Sequence, residues 1–306
     1  MSRTRFAIEV PGVRPWHEGK VRTVYEAGAE RLLVVASDRI SAYDSILPTP
    51  IPDKGCVLTQ LSVFWFERLQ AAAPHHLVSA ERRDFPAPFG DLDWLEGRAM
   101  LCRRARRVDV ECVVRGYLTG SGYREYRKSG TLNGEPLPAG LRDGSPLDPP
   151  RFTPTTKAEQ GHDLPMTRDE VRSAVGRETA ERLERRSLAL YSEAAEIARG
   201  AGLVLADTKF EFGWVAGELT LIDEILSPDA SRYWDAAAYA AGRLESYDKQ
   251  FVRDWLDRSG WDHEPPGPEL PADVVAATRE RYVQAAARLM GEAEARRLGL
   301  APAGRP

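Results

Sequence analysis

One short segment of the sequence places three charged residues at alternate positions among apolar ones. In ADTKFEFG, residues 206–213, the charged residues are Asp207, Lys209 and Glu211. Successive side chains of a β-strand point to opposite faces, so these three residues share one face of a predicted strand. An acid, a base and an acid on one face can bind a metal ion or a reacting carboxylate. The alternative is an exposed, salt-bridged hairpin face, although such a face does not need three charges between two aromatic anchors.

A further carboxylate pair, Asp223-Glu224, follows about ten residues later at the end of LTLIDEI. A hairpin between the two predicted strands would bring Glu211 close to Asp223. Paired carboxylates facing the phosphates of a nucleotide are a common way for proteins to hold Mg²⁺. The spacing therefore predicts a magnesium and nucleotide site.

A third segment has the residues of an anion site. The apolar strand VVRGYL delivers Arg115, and the Gly-Ser-Gly turn that contains Ser121 opens a predicted helix. A guanidinium, a hydroxyl and the N–H groups of a helix start can together bind a phosphate or a carboxylate. The alternative is an ordinary helix start capped by Ser121.

Two segments near the N-terminus could face the same ligand. The segment GKVR puts Lys20 and Arg22 on one face of a strand, where they could bind phosphates. A solvated strand face is the more ordinary explanation for that pair. Asp38 follows a buried strand, where it could face a cleft or cap a turn.

Two segments near the C-terminus add further polar groups. In SPDASR, Asp229 and Arg232 could close the site. In SYDKQFVR, Arg253 could also bind substrate, but Asp248 and Arg253 could equally stabilise a helix start and its exposed face.

Lysine is scarce in this chain. Of the 42 basic residues only six are lysine, so arginine is used wherever a generic cation suffices. A lysine that persists is suited to a role as a compact point charge beside a phosphate or a reacting carboxylate, although chance is the competing explanation for any single one. The six are Lys20, Lys54, Lys128, Lys157, Lys209 and Lys249.

Several elements must hold the first half of these residues in place. Residues 21–38 predict a β-hairpin, and apolar residues recur at helical spacing over 57–72. RAMLCRR and RVDVECVVRG predict two further strands, and residues 121–129 suit a short helix.

The middle of the chain is rich in glycine and proline. Residues 130–165 predict a long loop, and long loops in compact enzymes are often functional. Thr167 and Glu170 form a capping-box pattern, which predicts that helical sequence starts there and runs to about Arg199.

The last third predicts a hairpin and then helices. LVLADTKFEFG and LTLIDEI predict the two strands, and residues 247–258 and 272–290 predict helices. The final six residues are expected to be frayed. Strands early and late, with helices between and after them, favour an α+β fold of two lobes with a ligand cleft between them.

The expected domain boundary follows from this order of elements. Residues 1–115 would form an N-terminal, nucleotide-binding lobe built on an antiparallel sheet. Residues 116–306 would form a larger C-terminal α+β lobe that completes the site, with its terminal helices beginning at about residue 231.

Composition excludes several classes of protein. The chain has 306 residues, 42% of them hydrophobic, and a net charge of −4, so neither disorder nor a global affinity for nucleic acid is expected. Three cysteines without a CxxC pair fit a reducing compartment, and scattered histidines argue against a zinc cluster. No apolar run approaches the ~20 residues of a membrane span. We therefore expect a cytoplasmic protein without membrane or nucleic-acid partners.

Eight segments, taken together and in order, resemble the SAICAR synthetase family, and in particular its longer, yeast-like members. The resemblance runs from about Gly19 to Trp255 and is carried by GKVRTVYE, SDRISAYD, IPDKGCVLTQLSVFWF, VECVVRGYLTGSGYREY, FTPTTKAEQGHD, LVLADTKFEFG, LIDEILSPDASRYW and SYDKQFVRDWL.

The resemblance implies a fold related to ATP-grasp and kinase-like lobes, and a ligase of purine biosynthesis. The reaction joins L-aspartate to the carboxylate of carboxyaminoimidazole ribotide (CAIR) and yields SAICAR, ADP and phosphate. ATP with Mg²⁺ would activate the carboxylate as an acyl phosphate, although a concerted variant stays open. The protein would be a monomer or a small homo-oligomer.

The resemblance also implies roles for individual residues. The nucleotide would be bound by Lys20, Arg22, Val108, Glu111, Lys157, Glu211 and Asp223, with magnesium on Glu211 and Asp223. The substrate would be bound by Asp38, Arg115, Ser121, Asp229, Arg232 and Arg253. The residues nearest the chemistry would be Arg115, Asp207 and Lys209.

Two other functions explain part of the sequence. An ATP-dependent small-molecule kinase on a related two-lobed fold explains Lys20 and the Glu211–Asp223 pair, but it leaves the anion site around Arg115 and Arg232 unexplained. A non-catalytic nucleotide-binding regulator would be expected to lack some of the metal carboxylates, and none is missing here.

The scarcity of lysine gives a first testable prediction. Lys20→Arg and Lys209→Arg should impair catalysis, whereas Lys128→Arg in the exposed-looking segment YRKSG should be silent. A longer, planar guanidinium at position 209 should displace the reacting carboxylate, and a misplacement of about 1 Å can cost ~100-fold in rate. The measurement is kcat/KM for the three variants. If Lys209→Arg behaves like Lys128→Arg, the argument from lysine scarcity fails.

Overall fold

Strands and helices are interspersed along the part of the chain that the computed structural model describes, residues 4–157 and 163–300. In chain order the strands there are β1 (His17–Glu18), β2 (Arg22–Glu26), β3 (Arg31–Ala36), β4 (Ser41–Ala42), β5 (Ser45–Ile46), β6 (Leu77–Ser79), β7 (Ala99–Arg103), β8 (Arg106–Arg107), β9 (Val110–Leu118), β10 (Thr131–Leu132), β11 (Glu135–Pro136), β12 (Ser145–Phe152), β13 (Thr155–Thr156), β14 (Leu203–Val215), β15 (Glu218–Ile222) and β16 (Ser231–Asp235). The α-helices are α1 (Lys54–Arg68), α2 (Gly120–Ser129), α3 (Arg168–Val175), α4 (Arg177–Gly200), α5 (Ala236–Ala240), α6 (Gln250–Arg258), α7 (Ala272–Met290) and α8 (Glu292–Arg297). The α+β prediction is confirmed.

The first sheet has five antiparallel strands in the order β1-β2-β3-β7-β6. Its centre is the hairpin predicted for residues 21–38, in which Val24 pairs with Val34. The sheet forms because β3 and β7 are short apolar runs, buried over most of their length.

The second sheet follows the order β12-β9-β14-β15, with the short strands β8, β13 and β16 paired to its central members. Strand β14 pairs antiparallel with β9, so that Asp207 lies opposite Arg115 and Lys209 opposite Val113. Phe210 and Phe212 point to the other face and are fully buried in the main hydrophobic core. The alternation in ADTKFEFG therefore becomes one charged face and one apolar face.

The chain passes from the first sheet to the second between β7 and β8, at residues 104 and 105. The boundary expected at residue 115 lies inside β9, and the position of a boundary between the lobes stays a prediction. The terminal helices expected from about residue 231 begin at Ala236, after Ser231–Asp235 forms β16.

The long loop predicted over residues 130–165 was wrong in part, and residues 158–162 of this segment lie outside the described residues. It contains β10 to β13, and the proline-rich strand β12 pairs with β9. Proline lacks the N–H that a central strand donates on both sides, but β12 lies at the end of the sheet order, where one side needs no donor. An edge strand can therefore carry the prolines that indicated a loop.

The capping box at Thr167 is confirmed, with the Thr167 backbone N–H donating to Glu170 Oε2 at 2.7 Å and Glu170 N–H donating back to Thr167 Oγ1 at 3.2 Å. The helical sequence predicted beyond it, to about Arg199, is confirmed, although Gly176 adopts a φ of 82° and divides it into α3 and α4. Helix α1 begins at Lys54, three residues before its predicted start.

A buried ionic cluster ties three helices to the loop between β15 and β16. The Asp229 carboxylate accepts hydrogen bonds from Lys54 Nζ at 2.7 Å and Tyr282 OH at 2.7 Å, and Lys249 Nζ lies 3.0 Å away. Burial opposes the charged form of Asp229, but the two lysines outweigh it and hold the pKa of Asp229 below its usual range. The last third of the chain is therefore anchored on helix α1.

We expect Asp229→Asn to lower the free energy of unfolding by about 3 kcal/mol or more near neutral pH, because it leaves two buried lysines without their carboxylate. Since the pKa of Asp229 is lower in the folded state, its stabilisation is present above the unfolded pKa of about 4 and is lost as the pH falls further. Urea denaturation from neutral to acid pH checks this.

The matched control for this prediction is Asp254→Asn, which changes an exposed aspartate on α6 that accepts a hydrogen bond from Gln250. It should change stability by less than about 0.5 kcal/mol. A stability gap between wild type and Asp229→Asn that stays constant down to acid pH would contradict the assignment.

Candidate active site

A cavity of about 650 Å³ opens between the two sheets. Its apolar wall comes from Val24, Val34 and Cys102 of the first sheet and Ile222 of the second. The volume lies within the ~300–1,000 Å³ range of small-molecule and cofactor sites. An apolar slot with charged groups at its other end suits a nucleotide, which has a flat base and an anionic tail.

Arg22 marks the charged end of this cavity. Its guanidinium donates to the Asp223 carboxylate and, at 3.0 Å, to Glu224 Oε1. Burial raises the pKa of Asp223, with a smaller contribution from the charge of Glu211, although Arg22 opposes the shift. The structure therefore brings Glu211 and Asp223 together, as predicted. Both carboxylates line the cavity, and the charge of Glu211 acts on Asp223.

Four side chains beside Arg22 form a closed ring of alternating charge, which we call the lysine–carboxylate ring: Lys157, Glu111, Lys209 and Glu211. Lys157 Nζ lies 3.0 Å from Glu111 Oε1 and 2.5 Å from Glu211 Oε1. Lys209 Nζ lies 2.8 Å and 2.7 Å from the same two oxygens. Burial opposes the charge on Glu211, but the lysines outweigh it and lower the pKa of Glu211.

Arg115 and Arg232 form an anion-binding end farther along the same strands. Arg115 donates to Thr153 Oγ1 at 3.1 Å, to Asp207 Oδ2 at 2.7 Å and to Ser121 Oγ at 3.1 Å, and Arg232 donates to the same Asp207 oxygen. Two guanidinium groups share one carboxylate, which leaves an excess of one positive charge. We call this group of side chains the arginine pair.

Gly120 is required where the arginine pair meets helix α2. A Cβ atom at this position would lie 2.5 Å from Arg232 Nη2, and the φ of Gly120 is +57°. A side chain there would push the guanidinium away and strain the backbone. The glycine of the Gly-Ser-Gly turn therefore allows Arg232 to approach the start of the helix.

One face of two paired strands connects the lysine–carboxylate ring to the arginine pair. Asp207, Lys209 and Glu211 alternate along β14, while Glu111 and Arg115 lie on β9 in the matching register. Asp207 and Glu211 are four residues apart, so the two ends are separated by roughly 13 Å. The strand face can hold a substrate with an anionic group at each end.

Within the described residues, Lys20 and Val108 make no polar contact with the lysine–carboxylate ring or the arginine pair. Lys20 is half exposed and pairs with Asp44 in the turn between β4 and β5. The Val108 side chain is buried, and its N–H donates to the Phe212 carbonyl at 2.9 Å. The roles expected for both in nucleotide binding stay predictions.

Asp38 and Asp229 are bound by the protein itself. Asp38 is fully buried and accepts from the Gly55 N–H at 2.8 Å and from Arg98 Nη2 at 3.2 Å. Asp229 belongs to the ionic cluster with Lys54. Their predicted contacts with substrate stay predictions, and the structure gives each carboxylate a set of protein partners.

Asp248 lies close enough to Arg232 and Arg253 for both charges to act on it, a proximity that the sequence did not indicate. Asp248 is buried, and its Oδ2 atom has no hydrogen-bond partner within the described residues. Burial raises the pKa of Asp248, whereas the charges of Arg232 and Arg253 lower it. The sequence placed Asp248 only at a helix start, because nothing local shows that Arg232 is near.

Two further residues at the cavity were not identified from the sequence. Trp16 stands 56% exposed at the mouth, with the Arg104 guanidinium 5.4 Å from its ring centroid. His76 lines the wall, and burial lowers its pKa to about 3, so it is neutral. In the sequence, Trp16 could have been noticed as an aromatic residue just before GKVR. His76 could have been noticed as one of the only two adjacent histidines of the chain.

The donor set fits a metal ion that arrives with a nucleotide. Within residues 4–157 and 163–300, no three His, Cys, Asp or Glu residues are grouped so that they could hold a metal alone. Glu211 and Asp223 nevertheless line one cavity. Mg²⁺ usually binds one or two carboxylates together with substrate phosphates, which is what this pair offers.

Comparison with known proteins agrees with this geometry. The profile of the SAICAR synthetase family matches residues 15–268. A phosphoribosylaminoimidazole-succinocarboxamide synthase of Streptomyces coelicolor is 54% identical over 291 residues, which cover 93% of this chain and 96% of that protein. The SAICAR synthase of Saccharomyces cerevisiae complexed with SAICAR is 38% identical, with a TM-score of 0.85 over 94% of this chain and 98% of that one.

A SAICAR synthetase solved in complex with ADP shares the fold, with a TM-score of 0.68 at 23% identity over 90% of this chain and 97% of that one. The fold and the site together define an ATP-dependent carbon–nitrogen ligase. The chain belongs to the SAICAR synthetase family, whose reaction is a step of purine biosynthesis (EC 6.3.2.6). Nothing supports the kinase alternative, and the similarity to the yeast form is confirmed.

The close approach of Gly120 to Arg232 generates a prediction for anion binding. Gly120→Ala should weaken CAIR binding by about tenfold or more, because the methyl group displaces the Arg232 guanidinium and a charged hydrogen bond contributes about 1.5–3 kcal/mol. Calorimetry measures the Kd.

Gly130→Ala is the matched control, because Gly130 also has a positive φ, at the other end of α2, and no neighbouring atom lies within 4 Å of the point that an added methyl group would occupy. Both variants should lose similar stability from backbone strain, but only Gly120→Ala should lose CAIR affinity. Equal CAIR affinity in the two variants would contradict the role of Gly120.

Proposed function

We propose that this chain joins L-aspartate to the carboxylate of CAIR, using ATP with Mg²⁺, and releases SAICAR, ADP and phosphate. The observation that carries this assignment is the single face of β9 and β14, which runs from the nucleotide cavity to the arginine pair. A ribotide with a phosphate at one end and a carboxylate at the other would lie along this face, with its phosphate at the arginine pair and its carboxylate toward the nucleotide cavity.

The arginine pair would bind the ribotide phosphate. Arg115 and Arg232 are held by Asp207, so both guanidinium groups are fixed before the ligand arrives. Guanidinium groups bind phosphate through two parallel hydrogen bonds, and Ser121 adds a hydroxyl. The CAIR carboxylate would then lie toward Lys209, two residues farther along the strand.

The charged end of the cavity would bind the ATP phosphates. Arg22 and Lys157 both line it, and Arg22 would exchange Asp223, and Lys157 would exchange Glu211, for phosphate oxygens. Glu211 and Asp223 would hold Mg²⁺, which neutralises phosphate charge when it is bound. Lys209 would keep the reacting carboxylate close to the γ-phosphate, and positioning of this kind supplies a large share of a rate enhancement.

The proposed chemistry takes two steps. A carboxylate oxygen of CAIR attacks the γ-phosphorus and the bond to ADP breaks, which gives an acyl phosphate. The amine of L-aspartate then attacks the acyl carbon, the C–O bond breaks, phosphate leaves and the nitrogen releases a proton. The first step brings the CAIR carboxylate and the γ-phosphate of ATP, both negatively charged, into contact. The cations of the strand face stabilise this charge.

We propose the cytoplasm as the compartment, since Cys102 and Cys112 are buried thiols and burial raises the pKa of Cys112 to about 12, which makes it unreactive. No helix of the described ranges is long and apolar enough to cross a bilayer. A monomer or a small homo-oligomer stays the prediction for assembly.

Coupled ADP release measured with CAIR, in the presence and absence of L-aspartate, tests the proposed reaction. We expect sustained ADP release only when both substrates are present, with one SAICAR formed per ADP. Sustained ADP release from CAIR alone, with a phosphorylated product accumulating, would contradict the proposal and favour a kinase.

The metal assignment predicts the behaviour of two nearly isosteric variants. Glu211→Gln and Asp223→Asn should each lower kcat by about 100-fold or more, because the amides are poor ligands for Mg²⁺ and the loss of one preorganised electrostatic group can cost that much. Circular dichroism should show an unchanged fold.

Glu184→Gln serves as the control, since Glu184 pairs with Arg168 away from both ends of the site. Its kcat should match that of wild type. The metal assignment would be contradicted if both Glu211→Gln and Asp223→Asn kept the wild-type kcat at saturating Mg²⁺.

A further inference from the structure

Glu111 is the member of the lysine–carboxylate ring to which the proposed reaction gives no task. Its side chain is 9% exposed, and the residue does not line the nucleotide cavity, whereas Lys157 and Glu211 do. Glu111 Oε1 contacts both lysines, and Oε2 accepts a long hydrogen bond from Thr155 Oγ1 at 3.4 Å. The Glu111 carboxylate therefore contacts both lysines without itself lining the cavity.

The backbone places Glu111 beside Glu211. Phe210 pairs with Cys112 in the antiparallel ladder, so Glu211 and Glu111 are the next residues outward on the two strands. Two like charges at such adjacent positions repel one another. Lys157 and Lys209 each bridge the two carboxylates, which balances two negative charges with two positive ones.

Metal binding would change this balance. When Glu211 turns to a divalent cation, its oxygens no longer neutralise Lys157 and Lys209. Both ammonium groups are mostly buried, with side chains 24% and 29% exposed. An unpaired charge in such a position is unfavourable, so a second carboxylate must stay with them. Glu111 already has both contacts and needs no movement to do so.

We propose that Glu111 is a positioning residue, the fixed counterion that holds Lys157 and Lys209 in place and thereby allows Glu211 to bind the metal ion. This inference rests on the proposed assignment of Mg²⁺ to Glu211 and Asp223. Without Glu111, both lysines have Glu211 as their remaining carboxylate in the ring. They would then compete with the metal for it, and the local charge would be more positive by one.

The experiment measures Mn²⁺ binding by electron paramagnetic resonance, with the full-length protein and saturating ADP, so it does not depend on turnover. Glu111→Gln should raise the Kd for Mn²⁺ by about tenfold or more, while Glu111→Asp, which keeps the charge, should stay within about threefold of wild type. Glu184→Gln is the matched control for the loss of a partly buried carboxylate that pairs with a cation, and it should leave Mn²⁺ binding unchanged.

A double variant separates competition from simple structural damage. Glu111→Gln with Lys157→Gln removes one charge of each sign from the ring, so the Kd for Mn²⁺ should return to within about threefold of the wild-type value. A merely structural role of Glu111 would predict that the second substitution adds to the damage. Circular dichroism on each variant confirms that the fold is kept.

The outcomes distinguish this inference from the proposed function. If Glu211→Gln weakens Mn²⁺ binding but Glu111→Gln does not, or if the double variant is no better than Glu111→Gln, the role of Glu111 is overturned and the metal site stands. If Glu211→Gln itself leaves Mn²⁺ binding unchanged, the metal assignment fails and the inference about Glu111 fails with it.

Discussion

The pairing of β9 with β14 is the constraint on which the rest of the site depends. Each strand contributes charged residues at every second position, and the register puts Asp207 against Arg115 while Lys209 and Glu211 lie toward Glu111. The opposite face of β14 is buried through Phe210 and Phe212. A shift by one residue would turn every charge into the core, so burial of the phenylalanines fixes the register and the chemistry together.

Charge balance explains why so many side chains surround this face. Taking several ions out of water is unfavourable unless each has a partner, and here nearly every charged group is shared between two opposite charges. Asp207 holds two arginines, and the lysine–carboxylate ring holds two charges of each sign. Anionic substrates can therefore enter by exchanging partners with groups that are already fixed, which limits the reorganisation that accompanies reaction.

The sequence predicts those parts of the site that depend on local pattern. The alternation in ADTKFEFG, the hairpin that follows it and the capping box at Thr167 are set by residues close in the chain, and all three are present. The proline-rich strand β12 was missed because a strand at the edge of a sheet tolerates proline, and edge position is a property of the fold.

Partners from distant segments could not be predicted. Lys54 and Tyr282 approach Asp229 from 175 and 53 residues away, and Arg98 reaches Asp38 across 60 residues. No local spacing encodes such contacts, and the substrate role that the resemblance implies for both aspartates stays a prediction. The resemblance to a family supplied the residue types of the site, whereas their mutual contacts came from the structure.

The distance between a bound metal ion and the ribotide phosphate tests the central claim most directly. Paramagnetic relaxation of the ³¹P signal of CAIR by Mn²⁺ in the complex with ADP measures it. Asp207 and Glu211 are four residues apart along strand β14, so the account predicts a distance on the order of 10–15 Å. A phosphorus atom within about 5 Å of the metal, closer than two residues of extended strand, would contradict the proposed orientation of substrate along the strand face.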